Sequence, residues 1–167
     1  RWTPRNAVPR RRNKLEEVFA RCMGAEAALV RPQFMSGTHT LTVALFGLLR
    51  TGDTLLAATG RPYDTLEGVI GIGDAGKGCG TLREFGVNYD ECPLLPDFTP
   101  DYDLIAEKAR TATVVHIQRS RGYLQRNAFD LSTIRKIADT ARAANPEIII
   151  FVDNCYGEFT QTQEPCQ

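Results

Sequence analysis

An aspartate follows the most apolar stretch of the chain. Residues 148–152 are all apolar, three of them isoleucines, and Asp153 comes next. A continuous apolar run of this length is typical of a strand buried on both faces. In open α/β sheets, ligands bind outside the carboxyl ends of the strands. A carboxylate there is normally solvated or ion-paired. Asp153 therefore becomes a functional candidate only if a cation must lie in front of it.

A Ser–Gly–Thr sequence precedes a pattern that predicts a helix to about residue 50. Ser36 or Thr38 can cap this helix, and Gly37 lets a ligand approach the backbone closely. The free N–H groups and the positive dipole end of a helix start bind phosphate well. The alternative is that the sequence is only a cap. His39, on the first turn, either faces a ligand or is a solvated side chain.

Polar and aromatic residues follow two further predicted strands. Tyr63 follows one of them, and its ring either stacks on a flat ligand or packs on the core. The other strand ends in Gln118, Arg119, Ser120 and Arg121. This group suits an anionic substrate or the phenolic oxygen of a bound ring, although the same residues can simply solvate a turn.

A glycine-rich stretch resembles two nucleotide-binding motifs. Gly71, Gly73 and Gly76 have the spacing of the dinucleotide fingerprint, and Lys77 nearly completes a P-loop, in which Gly78 stands where Ser or Thr is required. Both motifs need a strand before them and a helix after them. The preceding residues predict a helix and the following ones have no full helical pattern, so a flexible surface loop is favoured. A Rossmann-like nucleotide-binding domain using residues 71–76 is the alternative.

These residues are positioned by alternating strands and helices. The first helix is predicted from Asn13, which has capping-box spacing to Glu16, as far as Gly24. Pro62 suits the N1 position of a later helix, and His116 is expected to be a satisfied core histidine. The pattern predicts further helices at 63–70, 101–109 and 130–144, and strands or extended segments at 27–30, 54–58, 87–92, 113–118 and 147–153. This order predicts an α/β fold with a mainly parallel sheet flanked by helices.

The bulk composition excludes several classes of protein. The 167 residues carry 20 basic and 20 acidic side chains, so nothing global indicates a nucleic-acid or membrane partner. The five cysteines are scattered and form no Cys-x-x-Cys pair, which argues against a disulfide framework or a zinc site. They favour a reducing compartment, so we expect a cytoplasmic location, with an organellar stroma or matrix as the alternative.

The amino-terminal residues differ in composition from the rest of the chain. Residues 1–12 contain five arginines, two prolines and no acid, and predict a basic, flexible arm. Residues 13–167 are then expected to form one incomplete domain. The chain starts with Arg and stops shortly after its most informative strand, which predicts a fragment of a longer protein.

Four segments occur together in an order that resembles a known family. They are residues 36–39, 62–65, 117–123 and 151–159. The chain is similar over about residues 13–167 to the methionine gamma-lyase family, whose members are also called aluminium resistance proteins. The resemblance implies the large domain of a fold-type-I, pyridoxal-phosphate-dependent enzyme with an aspartate-aminotransferase-like fold. The implied activity is carbon–sulfur elimination on a small amino-acid substrate, in a homo-oligomer or together with the remainder of the polypeptide.

The resemblance also implies roles for the residues of those segments. Ser36, Gly37 and Thr38 would bind the cofactor phosphate, and Tyr63 would stack on the pyridine ring. Asp153 would pair with the protonated ring nitrogen, which is the cation that we hypothesise in front of it. Gln118 and Ser120 would lie near the phenolic oxygen.

The chain departs from the family pattern in two places. The Schiff-base lysine is expected downstream of Asp153, and none of Lys14, Lys77, Lys108 or Lys136 matches its motif. The catalytic residue is therefore unknown, and the chain is expected to be inactive alone. The Arg/Pro-rich start also lacks the segment that completes a neighbouring subunit's phosphate site. The alternative is a non-catalytic structural subunit or pseudoenzyme in an assembly.

Overall fold

Nine regular elements make up the part of the chain that the structure describes. The structure is a computed structural model that describes residues 9–74 and 76–167, with side chains from residue 13 onward. The helices are α1 (Pro9–Met23), α2 (Gly37–Leu48), α3 (Asp64–Ile70), α4 (Tyr102–Ala109) and α5 (Leu131–Ala144). The strands are β1 (Thr54–Ala57), β2 (Asn88–Glu91), β3 (Val114–Gln118) and β4 (Ile149–Asp153).

The four strands form one parallel sheet in the order β2-β1-β3-β4. In its registers Ala57 pairs with His116, and Gln118 pairs with Asp153. All four carboxyl ends therefore meet at the same edge of the sheet, as expected for parallel strands joined by helical crossovers. The predicted α/β fold with a mainly parallel sheet is confirmed.

The two faces of the sheet pack on different helices because side chains alternate along each strand. On one face Leu55, Val114 and Phe151 join a cluster built on residues of α2 and α3. On the other face Leu56, Val115 and Ile150 join a cluster with residues of α4 and α5. Gln118 and Asp153 continue the first face, whereas Arg119 falls on the second.

The structure corrects three details of the sequence analysis. Helix α1 begins at Pro9, so Asn13 does not cap it; residues 1–8 of the predicted arm lie outside the described residues. Residues 27–30 form no strand. Pro62 is not at N1, because α3 begins at Asp64 with Tyr63 at the cap. Gly24, with φ of +65°, ends α1 as expected.

The prediction that the last strand is buried on both faces is wrong. Strand β4 pairs only with β3, and it is an edge of the described sheet. Ile149 is 37% exposed, and Ile150, Phe151 and Val152 are half-buried. Only Asp153, at the strand end, is buried. An apolar run predicts low polarity of the surroundings, but it cannot say how many neighbouring strands are present.

The glycine-rich loop does not have the geometry of a nucleotide site. Helix α3 leads into it, and Gly71 is the left-handed C-cap of that helix. Turns follow, and no helix starts near Gly76 within residues 72–74 and 76–86. The Glu84 carboxylate accepts hydrogen bonds from the N–H groups of Gly78, Gly80 and Thr81, at 2.5, 2.8 and 3.0 Å. The Rossmann-like alternative is therefore wrong, since both motifs need strand–loop–helix geometry.

Among the residues that the structure describes, no helix combines the length and the apolarity needed to cross a membrane.

Candidate active site

The first turn of α2 presents free backbone donors to the surface. The Ser36 hydroxyl accepts a hydrogen bond from the His39 N–H at 3.1 Å, so Ser36 is the N-cap. The N–H groups of Gly37 and Thr38 donate to no acceptor among the described residues. A Cβ at Gly37 would meet no atom within 4 Å, so the space beside it is open. An anion can therefore come close to the backbone N–H groups of this turn.

Hydroxyl groups connect the starts of α2 and α3. The hydroxyl oxygens of Thr38 and Thr65 are 2.9 Å apart. Tyr63 is half-buried, and burial raises the pKa of its phenol, while the neighbouring Thr38 and Thr65 hydroxyls partly offset that rise. The carboxylate of Asp153 raises this pKa further through its charge. The phenol of Tyr63 is therefore influenced both by the start of α2 and by the carboxylate at the end of β4.

Gln118 connects this group of hydroxyls to the sheet. Its backbone N–H donates to the buried Thr59 hydroxyl at 3.0 Å. Its side-chain oxygen accepts from the Tyr63 N–H at 3.2 Å, and its side-chain nitrogen donates to the Ser120 carbonyl at 3.2 Å. Gln118 is only 5% exposed, and both ends of its side-chain amide are hydrogen-bonded, so the orientation of the amide is fixed.

Asp153 is a buried acid with few partners. It is 6% exposed and pairs in register with Gln118. Its carboxylate accepts one hydrogen bond, from the Cys155 N–H at 3.1 Å. Burial raises the pKa of Asp153, the Cys155 N–H lowers it, and the charge of Glu158 raises it again. Within residues 9–74 and 76–167, no basic side chain forms an ion pair with it.

The structure thus brings together most of the residues singled out in the sequence, but not all of them. Ser120 instead lines a cleft of about 530 Å³, together with Arg119, Phe129 and Gly157. The Ser120 hydroxyl makes no hydrogen bond to the group around Asp153. His39 has a local role, because its Nδ1 accepts from the Met35 N–H at 3.2 Å.

Sequence reasoning missed three contributors to this edge of the sheet. The Thr59 hydroxyl accepts from the Gln118 N–H, and the Thr65 hydroxyl pairs with that of Thr38. Of these two threonines, only Thr65 had a signal in the sequence, namely its place in the 62–65 segment. Arg126 is 4% exposed and donates to the carbonyls of Gln118 and Ser120, at 3.1 and 2.7 Å. Burial lowers the pKa of its guanidinium to about 10. A basic residue in a polar loop gave no indication that it would be buried.

None of the lysines described in full lies within this group of residues. Three of them have partners elsewhere: Lys14 pairs with Glu17, Lys108 with Asp90, and Lys136 lies over the ring of Tyr102. Lys77 belongs to the glycine-rich loop. In the same described ranges, no three His, Cys, Asp or Glu side chains are placed to share a metal ion.

Comparisons with known proteins give the chain a family. Residues 9–167 match the family model for methionine gamma-lyase. The uncharacterized protein YnbB of Bacillus subtilis is 46% identical over 156 residues, which are 93% of this chain and 37% of YnbB. A crystal structure from Listeria monocytogenes, of a protein involved in aluminium resistance with the proposed activity of a cystathionine beta-lyase, has a TM-score of 0.90 at 45% identity. That match covers 98% of this chain and 41% of the Listeria chain.

A further structure carries a more specific description. The carbon–sulfur lyase involved in aluminium resistance from Clostridium novyi is 46% identical, with a TM-score of 0.87 over 93% of this chain and 37% of that one. The pyridoxal-phosphate-dependent protein YhfS of Escherichia coli shares the fold at 21% identity and a TM-score of 0.68, over 98% of this chain and 39% of YhfS. The chain spans about two fifths of the length of these relatives. It belongs to the methionine gamma-lyase family.

Proposed function

We propose that the chain is the cofactor-binding part of a pyridoxal-phosphate-dependent carbon–sulfur lyase. One observation carries the proposal: Asp153 is buried at the carboxyl end of β4 and has no cationic partner among the described residues. Buried carboxylates are normally paired, because the desolvation of a lone charge is costly. Asp153 would accept the N–H of a protonated pyridine nitrogen, which is such a cation, and would keep the proton on that nitrogen.

The phosphate of the same cofactor fits the start of α2. An anion is favoured there by the N–H groups of Gly37 and Thr38, which have no acceptor in the described part of the chain, by the Thr38 hydroxyl and by the dipole of a twelve-residue helix. Ser36 fixes the first turn through its bond to the His39 N–H. One cofactor has both the anion that this turn binds and the cation that Asp153 lacks.

Two further residues orient the ring. Tyr63 lies beside the Thr38 hydroxyl and within the electrostatic range of Asp153, so its ring is placed to cover a flat ligand between them. Gln118 keeps its amide at the same edge and is the better candidate for the phenolic oxygen. The role of Ser120 beside the cofactor stays a prediction, with the contacts here favouring Gln118.

When bound, the protonated cofactor supplies an electron sink that stabilises negative charge at the substrate α-carbon. The residues of this chain would bind the phosphate, orient the ring and keep its nitrogen protonated. The group that removes the α-proton is not among the lysines described here. The substrate class, a sulfur-containing amino acid, follows from the lyase names of the relatives from Listeria and Clostridium.

A lyase assay on the full polypeptide tests the proposal. The protein is incubated with pyridoxal phosphate and, in turn, cysteine, methionine and cystathionine, and the release of thiol, sulfide and keto acid is measured. We expect release with at least one substrate and a loss of roughly a hundredfold in kcat/KM in Asp153→Asn. Asp139→Asn, at an exposed position in α5, is the matched control. No release with any substrate, or equal activity in both variants, contradicts the proposal.

The second candidate is a non-catalytic structural subunit, and the positions of the lysines favour it. Lys14, Lys108 and Lys136 are engaged elsewhere, so the described part of the chain offers no lysine at the site. Borohydride reduction in the presence of the cofactor, followed by peptide mass spectrometry, separates the candidates. Cofactor attached to a lysine other than Lys14, Lys77, Lys108 or Lys136 supports the enzyme. Cofactor attached to none supports the structural subunit.

A further inference from the structure

Arg119 is the most fully hydrogen-bonded side chain at the carboxyl edge of the sheet. It is 4% exposed and lies on the opposite face from Asp153. Its guanidinium donates to the Phe129 carbonyl, the Asn154 side-chain oxygen and the Gly157 carbonyl, at 3.3, 2.7 and 3.0 Å. It also donates to the side chains of Thr160 and Gln161, at 3.4 and 2.7 Å. Four of these five partners belong to residues 154–161, the segment that follows Asp153.

Asn154 passes this interaction to a buried acid. Its side-chain oxygen accepts from Arg119, and its side-chain nitrogen donates to the Glu164 carboxylate at 3.0 Å. The other Glu164 oxygen accepts from the Phe159 N–H at 2.7 Å. A buried cation and a buried anion are thus connected through the amide of the residue next to Asp153. We refer to Arg119, Asn154 and Glu164 as the clamp.

The backbone held by the clamp adopts conformations that L residues rarely take. Tyr156 and Phe159 have φ of 67° and 57°, in the left-handed region. Gly157 packs directly on Arg119: a Cβ there would lie 2.6 Å from the Arg119 Cδ and closer still to Nη1. The segment therefore depends on Arg119 for its conformation. In turn, the Arg119 side chain fits only because residue 157 is a glycine.

From this geometry we infer that the clamp positions Asp153 for the cofactor, with Arg119 as the positioning residue. The Asp153 carbonyl accepts from the Arg119 N–H at 3.0 Å, and the Asp153 carboxylate accepts from the Cys155 N–H at 3.1 Å. Asn154 lies between these two bonds and is fixed by Arg119. Arg119 does not touch the site itself. It fixes the carbonyl of Asp153 and the segment that follows it.

The inference rests on the proposed function, but part of its test is independent of the cofactor. Arg119→Lys keeps the charge and loses the planar fork of donors. Gly157→Ala keeps every clamp side chain and displaces the guanidinium. The matched controls are Arg110→Lys, at an exposed position that follows α4, and Gly47→Ala, which adds a Cβ to open space on α2. Far-UV circular dichroism checks that each variant is folded.

Two readouts are measured in the full polypeptide. The first is a ¹³C NMR titration of the Asp153 carboxyl without cofactor. Burial is the largest cause of its raised pKa. We therefore expect Arg119→Lys and Gly157→Ala to move the midpoint toward that of an exposed aspartate. The second is the dissociation constant for pyridoxal phosphate, for which we expect a roughly tenfold weakening in the same two variants. Both controls should match the wild type in both readouts.

The outcomes separate the two proposals. If wild type and Asp153→Asn bind the cofactor equally, the proposed function fails, and the NMR arm alone decides whether the clamp positions Asp153. If the cofactor binds through Asp153 but neither clamp variant changes its titration or the dissociation constant, the clamp is only structural and the inference is overturned. Should Arg119→Lys fail to fold, Gly157→Ala decides.

Discussion

The two faces of the sheet end in very different polar groups, although they share one edge. On the α4/α5 face, Arg119 makes five hydrogen bonds and Glu164 accepts two, so both buried charges are satisfied. On the α2/α3 face, Asp153 accepts one hydrogen bond, and the N–H groups of Gly37 and Thr38 have no acceptor among the described residues. The Asp153 carboxylate and the start of α2 can therefore still bind charged groups, whereas the hydrogen-bonding capacity of Arg119 and Glu164 is used within the protein.

The largest expected effect is on the satisfied face. Arg119→Met leaves the Asn154 side-chain oxygen and the Phe129 carbonyl without the donor that Arg119 supplies. We expect the free energy of unfolding to fall by about 3 kcal/mol, as when one member of a buried network is removed. Urea denaturation measures it, with Arg121→Met as the exposed control. A loss equal to that of the control contradicts the contrast between the faces.

His116 provides a pH-dependent effect on the α2/α3 face. Burial lowers its pKa to about 4, and its Nε2 has no partner among the described residues. The folded pKa lies below the unfolded value of about 6.5, so its contribution is full above that pH and is lost as the pH falls toward 4. This loss amounts to about 3 kcal/mol. Urea denaturation at several pH values should show it in wild type and not in His116→Phe. A pH dependence unchanged in this variant contradicts the assignment; His39→Gln is the control.

The helix caps on the two faces should give equal losses of stability but different losses of binding. Ser36 caps α2 beside the candidate site, and Asp130 caps α5 on the other face, each accepting an N–H bond. Replacing either by Ala should lower the free energy of unfolding by about 1 kcal/mol. Only Ser36→Ala should also weaken the binding of pyridoxal phosphate. Equal dissociation constants in the two variants contradict a phosphate site at α2.

Asp153 should give the smallest effect on stability, and with the opposite sign. Burial raises its folded pKa, so ionisation of Asp153 costs stability as the pH rises through its titration, and the cost is absent below the unfolded pKa. Asp153→Asn should therefore raise the free energy of unfolding of the cofactor-free protein at pH 7 by up to about 1 kcal/mol. The gain should disappear at acid pH. A loss of stability at pH 7 shows that the carboxylate is compensated.

The sequence predicted the sheet well because its buried strands β1 and β3 are short apolar runs between clear helical patterns. The sequence offered Ser36 or Thr38 as the cap of α2, and Ser36 is the cap. Tyr63, Gln118 and Asp153 were each predicted to follow a strand, and the carboxyl ends of parallel strands share one edge. The start of α1 was misplaced because a capping-box spacing occurs at Asn13 inside a helix that begins earlier. A capping-box spacing therefore does not exclude a further turn of helix before it.

The clamp was not predictable from local pattern. Arg119 and Ser120 are adjacent in a polar run, and nothing in that run assigns them to different faces. Alternation from Gln118 assigns the faces only once the strand end is known. His116 was expected to be a satisfied core histidine; it is buried, yet its Nε2 has no partner among the described residues. Partners 35 or more residues away, such as Asn154 for Arg119, are set by the fold.

The role proposed for Asp153 can be tested by an absorbance titration of the full polypeptide with pyridoxal phosphate. Wild type, Asp153→Asn and the control Asp139→Asn are compared at neutral pH. We expect saturable binding in wild type and the control, and a dissociation constant higher by roughly tenfold or more in Asp153→Asn, because its amide cannot balance the protonated ring nitrogen. Equal binding by all three proteins, or no saturable binding by any of them, would contradict it.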